Sequence, residues 1–302
     1  MLSFKHEVFL EVSTSMSFSK AAESLFISQP AVSKHIKSLE EFYKVSLFER
    51  KGSTVQLTAA GNILRGHLLK GQAIKKQLDY EISTQANEYR ARGELNIGAS
   101  TTVALYILPP ILAAFRYAFD NVDIRLMNRN SESILSALVE HKIDLGIVEG
   151  KTKISSIHYN HFITDEVVLV CSSTSELAKR QKVTLDELRS LPLALRERGS
   201  GTLAVVQQAL GYHHVGLSDL NVRIRLGGTE ALKNFILADK LRGTLGFLPM
   251  KSVAKQLKSG ELTRIFIENF SVSRDFYFIQ RHGSEDEGMN KAFIRFAANH
   301  YN

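Results

Sequence analysis

Residues 18–40, FSKAAESLFISQPAVSKHIKSLE, constrain this chain more than any other stretch. They hold two short amphipathic patterns separated by a tight turn. Ala21, Ala22 and Leu25 lie on one helical face, and the two alanines let another helix approach closely. Phe26 and Ile27 interrupt that rhythm, and Ser28 stands where an N-cap belongs. Pro30 follows within the first turn, where its missing N–H costs nothing. Val32, Ile36 and Leu39 then form a second apolar stripe, and the opposite face carries Gln29, Ser33, Lys34 and Lys37. These side chains can reach base edges and phosphates from a helix in the major groove, so the pattern predicts a helix-turn-helix. A plain helical hairpin with a solvated polar face shares the periodicity. It accounts neither for the Ser-Gln-Pro start nor for the segment beyond the second helix. Residues 47–58, LFERKGSTVQLT, predict a hairpin with Gly52 at its tip and Arg50 and Lys51 beside it. Such a hairpin is a wing, and its cations suit phosphates or the minor groove.

These residues resemble the LysR-type transcriptional regulators. The match runs through Phe18-Ser19, Ala21-Ala22 and Leu25, then Ser28-Gln29-Pro30-Ala31-Val32-Ser33 and Leu39-Glu40. It continues in Leu47-Phe48, Arg50, Leu57-Thr58 and Ala60-Gly61. The resemblance implies a DNA-binding regulator that grips an interrupted inverted repeat in double-stranded DNA as a homodimer or homotetramer, with RNA polymerase as a further partner. It assigns DNA contacts to Ser19, Gln29, Pro30, Ser33, Lys34, Lys37, Arg50 and Lys51. The chain departs from the family at Met16 and at Lys44, where glycine is usual. A lysine that ends a helix in the left-handed conformation costs about 1 kcal/mol.

Formal net charge is +7 over 302 residues, which favours an anionic partner without naming one. In the first 58 residues Glu23, Glu40, Glu41 and Glu49 offset much of the basic excess, so placement of charge carries the DNA reading. The apolar run at 103–115 is broken by Pro109-Pro110 and is too short to span a bilayer. Glu7 and Glu11 spoil any secretory signal, so the expected compartment is the cytoplasm. Cys171, the single cysteine, lies in the strand-like EVVLVCS and reads as a buried, inert thiol.

Three domains are expected: a winged helix-turn-helix at 1–58, a linker helix at 59–89 and an effector domain at 90–302. Thr58 caps the linker helix, and Leu64, Leu68, Gly71, Ile74, Leu78 and Ile82 recur near a heptad seam. A lone helix with one apolar seam needs a partner, and a symmetry mate supplies one. After a hinge at 90–93 the texture becomes α/β, in contrast to the α-rich N-terminal part. Strands are expected at 95–98, 122–127, 144–148, 167–170, 193–195, 222–226, 245–248 and 276–279. Helices are expected at 103–119, 132–140, 202–210, 230–238 and 290–298. Two such units suggest two lobes with a cleft between them. The resemblance implies a periplasmic-binding-protein-like fold, with lobe I at 90–163 and 268–302 and lobe II at 164–267.

Ligands of open α/β sheets bind beyond strand carboxyl ends, often at helix N-termini. Ser100-Thr101-Thr102 follow the first strand of the α/β region, and Ser200-Gly201-Thr202 open a helix in the second lobe. Either set alone is satisfied by plain N-capping. Their equivalent placement and the resemblance make both effector contacts. Asn128, Glu149, Arg196 and Leu248 join them at or near other strand ends. Glu149 is unusual, because many family members carry a small hydroxyl residue there. The carboxylate either points away, or meets a ligand hydroxyl or amine, or is compensated by Arg196 or Arg198. Gly98-Ala99-Ser100-Thr101-Thr102 with Leu145-Gly146-Ile147-Val148-Glu149-Gly150 resembles the branch regulating sulfur assimilation. That resemblance implies a sulfur oxyanion or related anionic metabolite as effector, and no cofactor.

The alternatives are an enzyme or a solute-binding protein on the same two-lobed fold. The Gly-Ser-Gly-Thr stretch at 199–202 lacks the lysine of a phosphate-binding loop. His158 with His161, and His213 with His214, have no metal-ligand set around them, and no serine sits in a nucleophile elbow. The N-terminal DNA module argues against a free solute binder.

Overall fold

The computed structural model describes residues 2–51, 54–85, 93–150, 154–240, 243–284 and 288–301. The chain divides into two compact units, Met1–Ala86 and Asn87–Asn302.

The first unit packs α1 (Phe4–Ser15), α2 (Phe18–Leu25) and α3 (Gln29–Tyr43) around one core, followed by β1 (Phe48–Lys51), β2 (Thr54–Leu57) and α4 (Ala59–Thr84). Val8, Phe9 and Val12 of α1 meet Ala21, Ala22, Val32, Ile36 and Leu39, so both apolar stripes face inward together. Each of the first three helices stops on a non-glycine residue in the left-handed region: Met16 at φ 48°, Phe26 at φ 54° and Lys44 at φ 57°. β1 and β2 pair antiparallel, with Arg50 opposite Val55 and Lys51 opposite Thr54. The expected tip, Gly52, lies outside the described residues. Thr58 accepts a hydrogen bond from the Gly61 N–H and starts α4. Leu64, Leu68 and Leu69 in the first half of that helix join the core of α1–α3. Further along, Ile74 and Ile82 are exposed. The expected helix end near Tyr89 and the hinge at 90–92 lie outside the described residues.

In the second unit β3 (Gly93–Ser100) runs into a π-helical turn, Val103–Ile107, and then α5 (Leu108–Ala118). This replaces the single helix expected across 103–119. Pro109 and Pro110 lack the N–H groups that Leu105 and Tyr106 carbonyls would accept in an α-helix, and the Leu108 N–H bonds instead to the Val103 carbonyl. β4 (Val122–Arg129), α6 (Ser131–Val139), β5 (Leu145–Glu149) and β6 (Ile157–Ser172) follow. After them come β7 (Lys182–Val183), α7 (Leu185–Ser190), β8 (Leu193–Arg196), α8 (Gly201–Tyr212), β9 (Val222–Leu226) and α9 (Thr229–Ala238). The chain closes with β10 (Leu245–Pro249), α10 (Met250–Ser259), β11 (Leu262–Ile267), β12 (Val272–Arg281) and α11 (Gly288–Tyr301).

The main sheet has the order β4-β3-β5-β12-β6-β10-β8-β9, with β11 pairing off β6. β3 lies parallel to β4 and β5, and β8 lies parallel to β9 and β10. The long antiparallel strands β6 and β12 join these two parallel groups. β6 pairs with β12 from Ile157 to Val167 and with β10 from Val167 to Val170. Along it Val167, Leu169 and Cys171 enter one core, while Val168 and Val170 enter the core on the opposite face. A strand covered on both faces reads as a continuous apolar run, which is why EVVLVCS is legible and the polar first half of β6 is not. Cys171 is buried, and burial pushes its thiol pKa up.

Candidate functional site

The polar face of α3 is built by its N-cap. Ser28 accepts a hydrogen bond from the Ala31 N–H at 3.4 Å, with Pro30 in the first turn. Because Val32, Ile36 and Leu39 are fixed in the core, Gln29, Pro30 and Lys34 are exposed on the other side and Ser33 is half-buried. Gln29 Nε2 donates to Ser33 Oγ at 3.0 Å, so the two share one orientation. Lys37 stands 3.9 Å from Glu41 with both side chains largely in solvent. Ser19 is exposed near the start of α2. Arg50 and Lys51 are exposed on β1. The wing is tied to α3 by Glu40, whose Oε1 accepts from the Leu47 and Phe48 N–H groups at 2.8 and 3.4 Å. The face presents hydrogen-bonding groups and cations on a rigid helix, as base and phosphate contacts require.

The second unit contains a cleft of about 880 Å³ between α6 and the start of α8. Of the residues expected to contact an effector, Glu149, Ser200 and Gly201 line it, together with Ser131, Leu135, Arg198, Leu203 and Arg225, among others. Two helix starts converge at its floor. Asn130 caps α6, accepting from the Ser133 N–H at 2.9 Å, and Ser200 caps α8, accepting from the Leu203 N–H at 3.4 Å. The approach is so close that a Cβ on Gly201 would lie 2.6 Å from Ser131 Oγ and 2.7 Å from the Glu149 carboxylate.

Glu149 ends β5 between these helix starts. Its Oε2 accepts from Ser131 Oγ at 2.5 Å, and its Oε1 accepts from Arg274 Nη1 at 3.0 Å and from Thr202 Oγ1 at 3.4 Å. Arg274 Nη1 also donates to Thr202 Oγ1 at 2.8 Å, and Nη2 donates to Asp165 Oδ2 at 2.9 Å. The Arg274 side chain is 0% exposed and those of Glu149 and Asp165 are 3% exposed, so three charges are desolvated together. This corrects one expectation: Glu149 is compensated, but by Arg274 of β12. Arg196 is committed elsewhere, its Nε and Nη2 donating to Glu197 at 2.8 and 2.9 Å and its Nη1 to Thr229 at 2.7 Å. Burial raises the Glu197 pKa, but Arg196 and the Gly228 N–H outweigh that and hold the carboxyl below its ordinary range. Arg198 is exposed at the cleft wall.

The remaining expected contacts divide. Ser100 Oγ and Thr102 Oγ1 are buried without a hydrogen-bond partner among the described residues, and Thr101 beside them is half-buried. Asn128 is half-buried in β4. Leu248 is not a cleft residue: it packs with Val168, Leu232, Ile236 and Val253 in a core cluster. Sequence reasoning misses Asp165, Ser131 and Arg274. Their only signal is a charged or polar residue set beside apolar strand positions or at a helix start, and that signal names no partner.

Among the described residues no cluster of three or more His, Cys, Asp or Glu is placed to hold a metal, and no helix is long and apolar enough to cross a membrane.

Residues 5–62 match the family described as "Bacterial regulatory helix-turn-helix protein, lysR family", and residues 90–302 match the "LysR substrate binding domain". The chain is 28% identical over 295 residues to the HTH-type transcriptional regulator CysL of Bacillus subtilis, covering 98% of this chain and 96% of that one. It is 33% identical over 265 residues to the HTH-type transcriptional regulator YeiE of Escherichia coli K12, covering 86% and 85%. The full-length crystal structure of CbnR complexed with its target DNA shares the fold, with a TM-score of 0.64 at 18% identity and 100% coverage of both chains.

Proposed function

On the premise that this chain belongs to the lysR family of bacterial regulatory helix-turn-helix proteins, we propose how its two units divide the work of a DNA-binding transcriptional regulator. The observation that carries the DNA half is the exposed face of α3, where Gln29, Ser33 and Lys34 project opposite a stripe locked into the core. Gln29, Pro30, Ser33 and Lys34 read or abut bases. Ser19, Lys37, Arg50 and Lys51 hold the backbone or the minor groove. The chain acts in the cytoplasm as a homodimer or homotetramer. The exposed Ile74, Leu78 and Ile82 of α4 support this, since pairing with a second copy would cover them. Two recognition helices then meet an interrupted inverted repeat.

The effector half is the cleft between α6 and α8. Its donors suit an anionic metabolite, and the stretches 98–102 and 145–150 that resemble the sulfur-assimilation branch make a sulfur oxyanion the first ligand to test. Effector binding shifts the balance between lobe arrangements and so the bend imposed on DNA by the assembled regulator.

The test is electrophoretic and calorimetric. Full-length protein should bind its promoter DNA with an affinity that falls steeply with salt, by about 0.9 unit of log–log slope per phosphate neutralised. A flat salt response would sink the assignment of Lys34, Lys37, Arg50 and Lys51. Addition of sulfite, sulfate or thiosulfate should raise the melting temperature. A ligand at a hundred times its dissociation constant adds about 2.7 kcal/mol. A shift produced by amines alone would refute the anionic effector.

A further inference from the structure

The floor of the cleft is rich in donors and already holds an anion of the chain's own. The N-terminal ends of α6 and α8 face one carboxylate from two sides, and Ser131, Thr202 and Arg274 all donate to it. Other buried polar atoms, Nε on Arg274 and Ser100 Oγ and Thr102 Oγ1 at the end of the neighbouring strand, have no partner among the described residues. β3 lies parallel to β5 with Ala99 opposite Ile147, so Ser100, the last residue of β3, and Thr102 just beyond it follow the same strand end that carries Glu149 on β5. Unpaired buried donors are costly, and an oxyanion with several acceptors is the kind of group that satisfies such donors. Yet beside Arg274 the charges leave no room for one. Glu149 and Asp165 share the single guanidinium of Arg274, so a second anion beside Glu149 would place three negative charges around one buried cation.

We propose that the Glu149 carboxylate is a tethered competitor for the effector's anion position, and that a small oxyanion enters only by displacing it from Ser131, Thr202 and Arg274. This rests on the effector reading of the cleft and adds a specificity device to it. Displacement lowers apparent affinity by the fraction of molecules in which the position is vacant. Removing the carboxylate removes that penalty and leaves a hole of matching charge and hydrogen bonding.

Full-length wild type, Glu149→Ser and Glu149→Gln are titrated with sodium sulfate and sodium sulfite by calorimetry. Thermal midpoints are read with each salt against chloride at equal ionic strength. Glu149→Ser should melt lower than wild type, should recover most of that deficit in sulfate, and should bind sulfate at least about tenfold tighter. Glu149→Gln keeps the side-chain volume, so it remains folded if Glu149→Ser does not, and it should also bind tighter than wild type. Equal affinities in wild type and Glu149→Gln would overturn the proposal, as would folded variants that bind neither anion. A distinct outcome tests the underlying reading. If a variant gains oxyanion binding but footprints its DNA identically with and without ligand, displacement stands and the cleft is not the regulatory site.

Discussion

Lys37 and Arg274 are both cations with a carboxylate partner, and they sit at opposite extremes of exposure. Lys37 faces Glu41 at 3.9 Å with 77% and 67% of the two side chains in water, while Arg274 contacts Glu149 and Asp165 with nothing exposed on its own side chain. In water an ion pair is screened and contributes little, so Lys37 can trade its partner for a phosphate at almost no cost. Out of water the same chemistry is dominated by desolvation. Each group then depends on the others, because an unpaired buried charge is penalised heavily. Lys37 therefore has an exchangeable partner, and Arg274 has committed ones. An exchangeable surface suits DNA, whose phosphates replace counterions. A committed cluster suits a junction of strands and helices held in one arrangement.

The largest effect is expected when Arg274 is removed. Arg274→Met leaves Glu149 and Asp165 buried without a cation, and denaturant unfolding of the full chain should show a destabilisation of about 3–5 kcal/mol. The further change of Asp165→Asn in that background should recover part of it, since one uncompensated charge disappears. A destabilisation under about 1 kcal/mol would mean that water or a shifted backbone already solvates the cluster.

On the DNA side the expected effect is on binding alone. Ser33→Ala combined with Lys34→Ala should cost about 1–3 kcal/mol for each base interaction removed, enough to abolish an operator shift at working concentrations. The thermal midpoint and the oligomeric state should stay unchanged, because Lys34 is exposed and the Ser33 hydroxyl bonds to Gln29, itself exposed on the same face. Sedimentation and melting curves check this. A variant that also unfolds or dissociates would show that these side chains are structural, and the contrast with Arg274 would fail.

The same contrast explains what can be read from the chain. The helix-turn-helix is legible because its contacts are local. Spacings of three and four identify the buried stripe, and whatever faces away from it is available to DNA. The cleft network is not legible in that way. Arg274 lies 125 residues from Glu149 and 109 from Asp165, and only the sheet order brings β5, β6 and β12 together. The strand end at Glu149 and the helix start at Ser200-Gly201-Thr202 are visible as local punctuation, but not the cation that joins them. Leu248 shows the reverse error: a strand-end position that looks like a cleft wall is claimed by a core.

A smaller effect probes a place where the DNA unit holds strain. Lys44 ends α3 at φ 57°, a region that costs a residue bearing a Cβ about 1–2 kcal/mol. Glycine would remove that cost and lose part of the gain to unfolded-chain entropy, about 0.4–1 kcal/mol. Lys44→Gly should therefore stabilise by a few tenths to about 1 kcal/mol, seen as a higher denaturant midpoint with an unchanged slope. Lys44→Val should do the opposite. If both variants lose stability equally, the lysine side chain makes interactions that outweigh its backbone cost.

The smallest effect pairs almost no change in one observable with a defined change in another. Lys37→Ala deletes an exposed charge whose partner, Glu41, remains largely solvated, so stability should move by no more than about 0.5 kcal/mol. If Lys37 touches a phosphate in the complex, the log–log salt slope of DNA binding should fall by about 0.9 while preference among sequences is retained. Glu41→Ala supplies the complementary arm. It frees Lys37 from a carboxylate 3.9 Å away, and should leave the salt slope intact while raising affinity slightly. Were Lys37→Ala to alter sequence preference instead, the lysine would be reading bases from α3, and the division between base-contacting and backbone-contacting residues would move one helical turn toward the C-terminus.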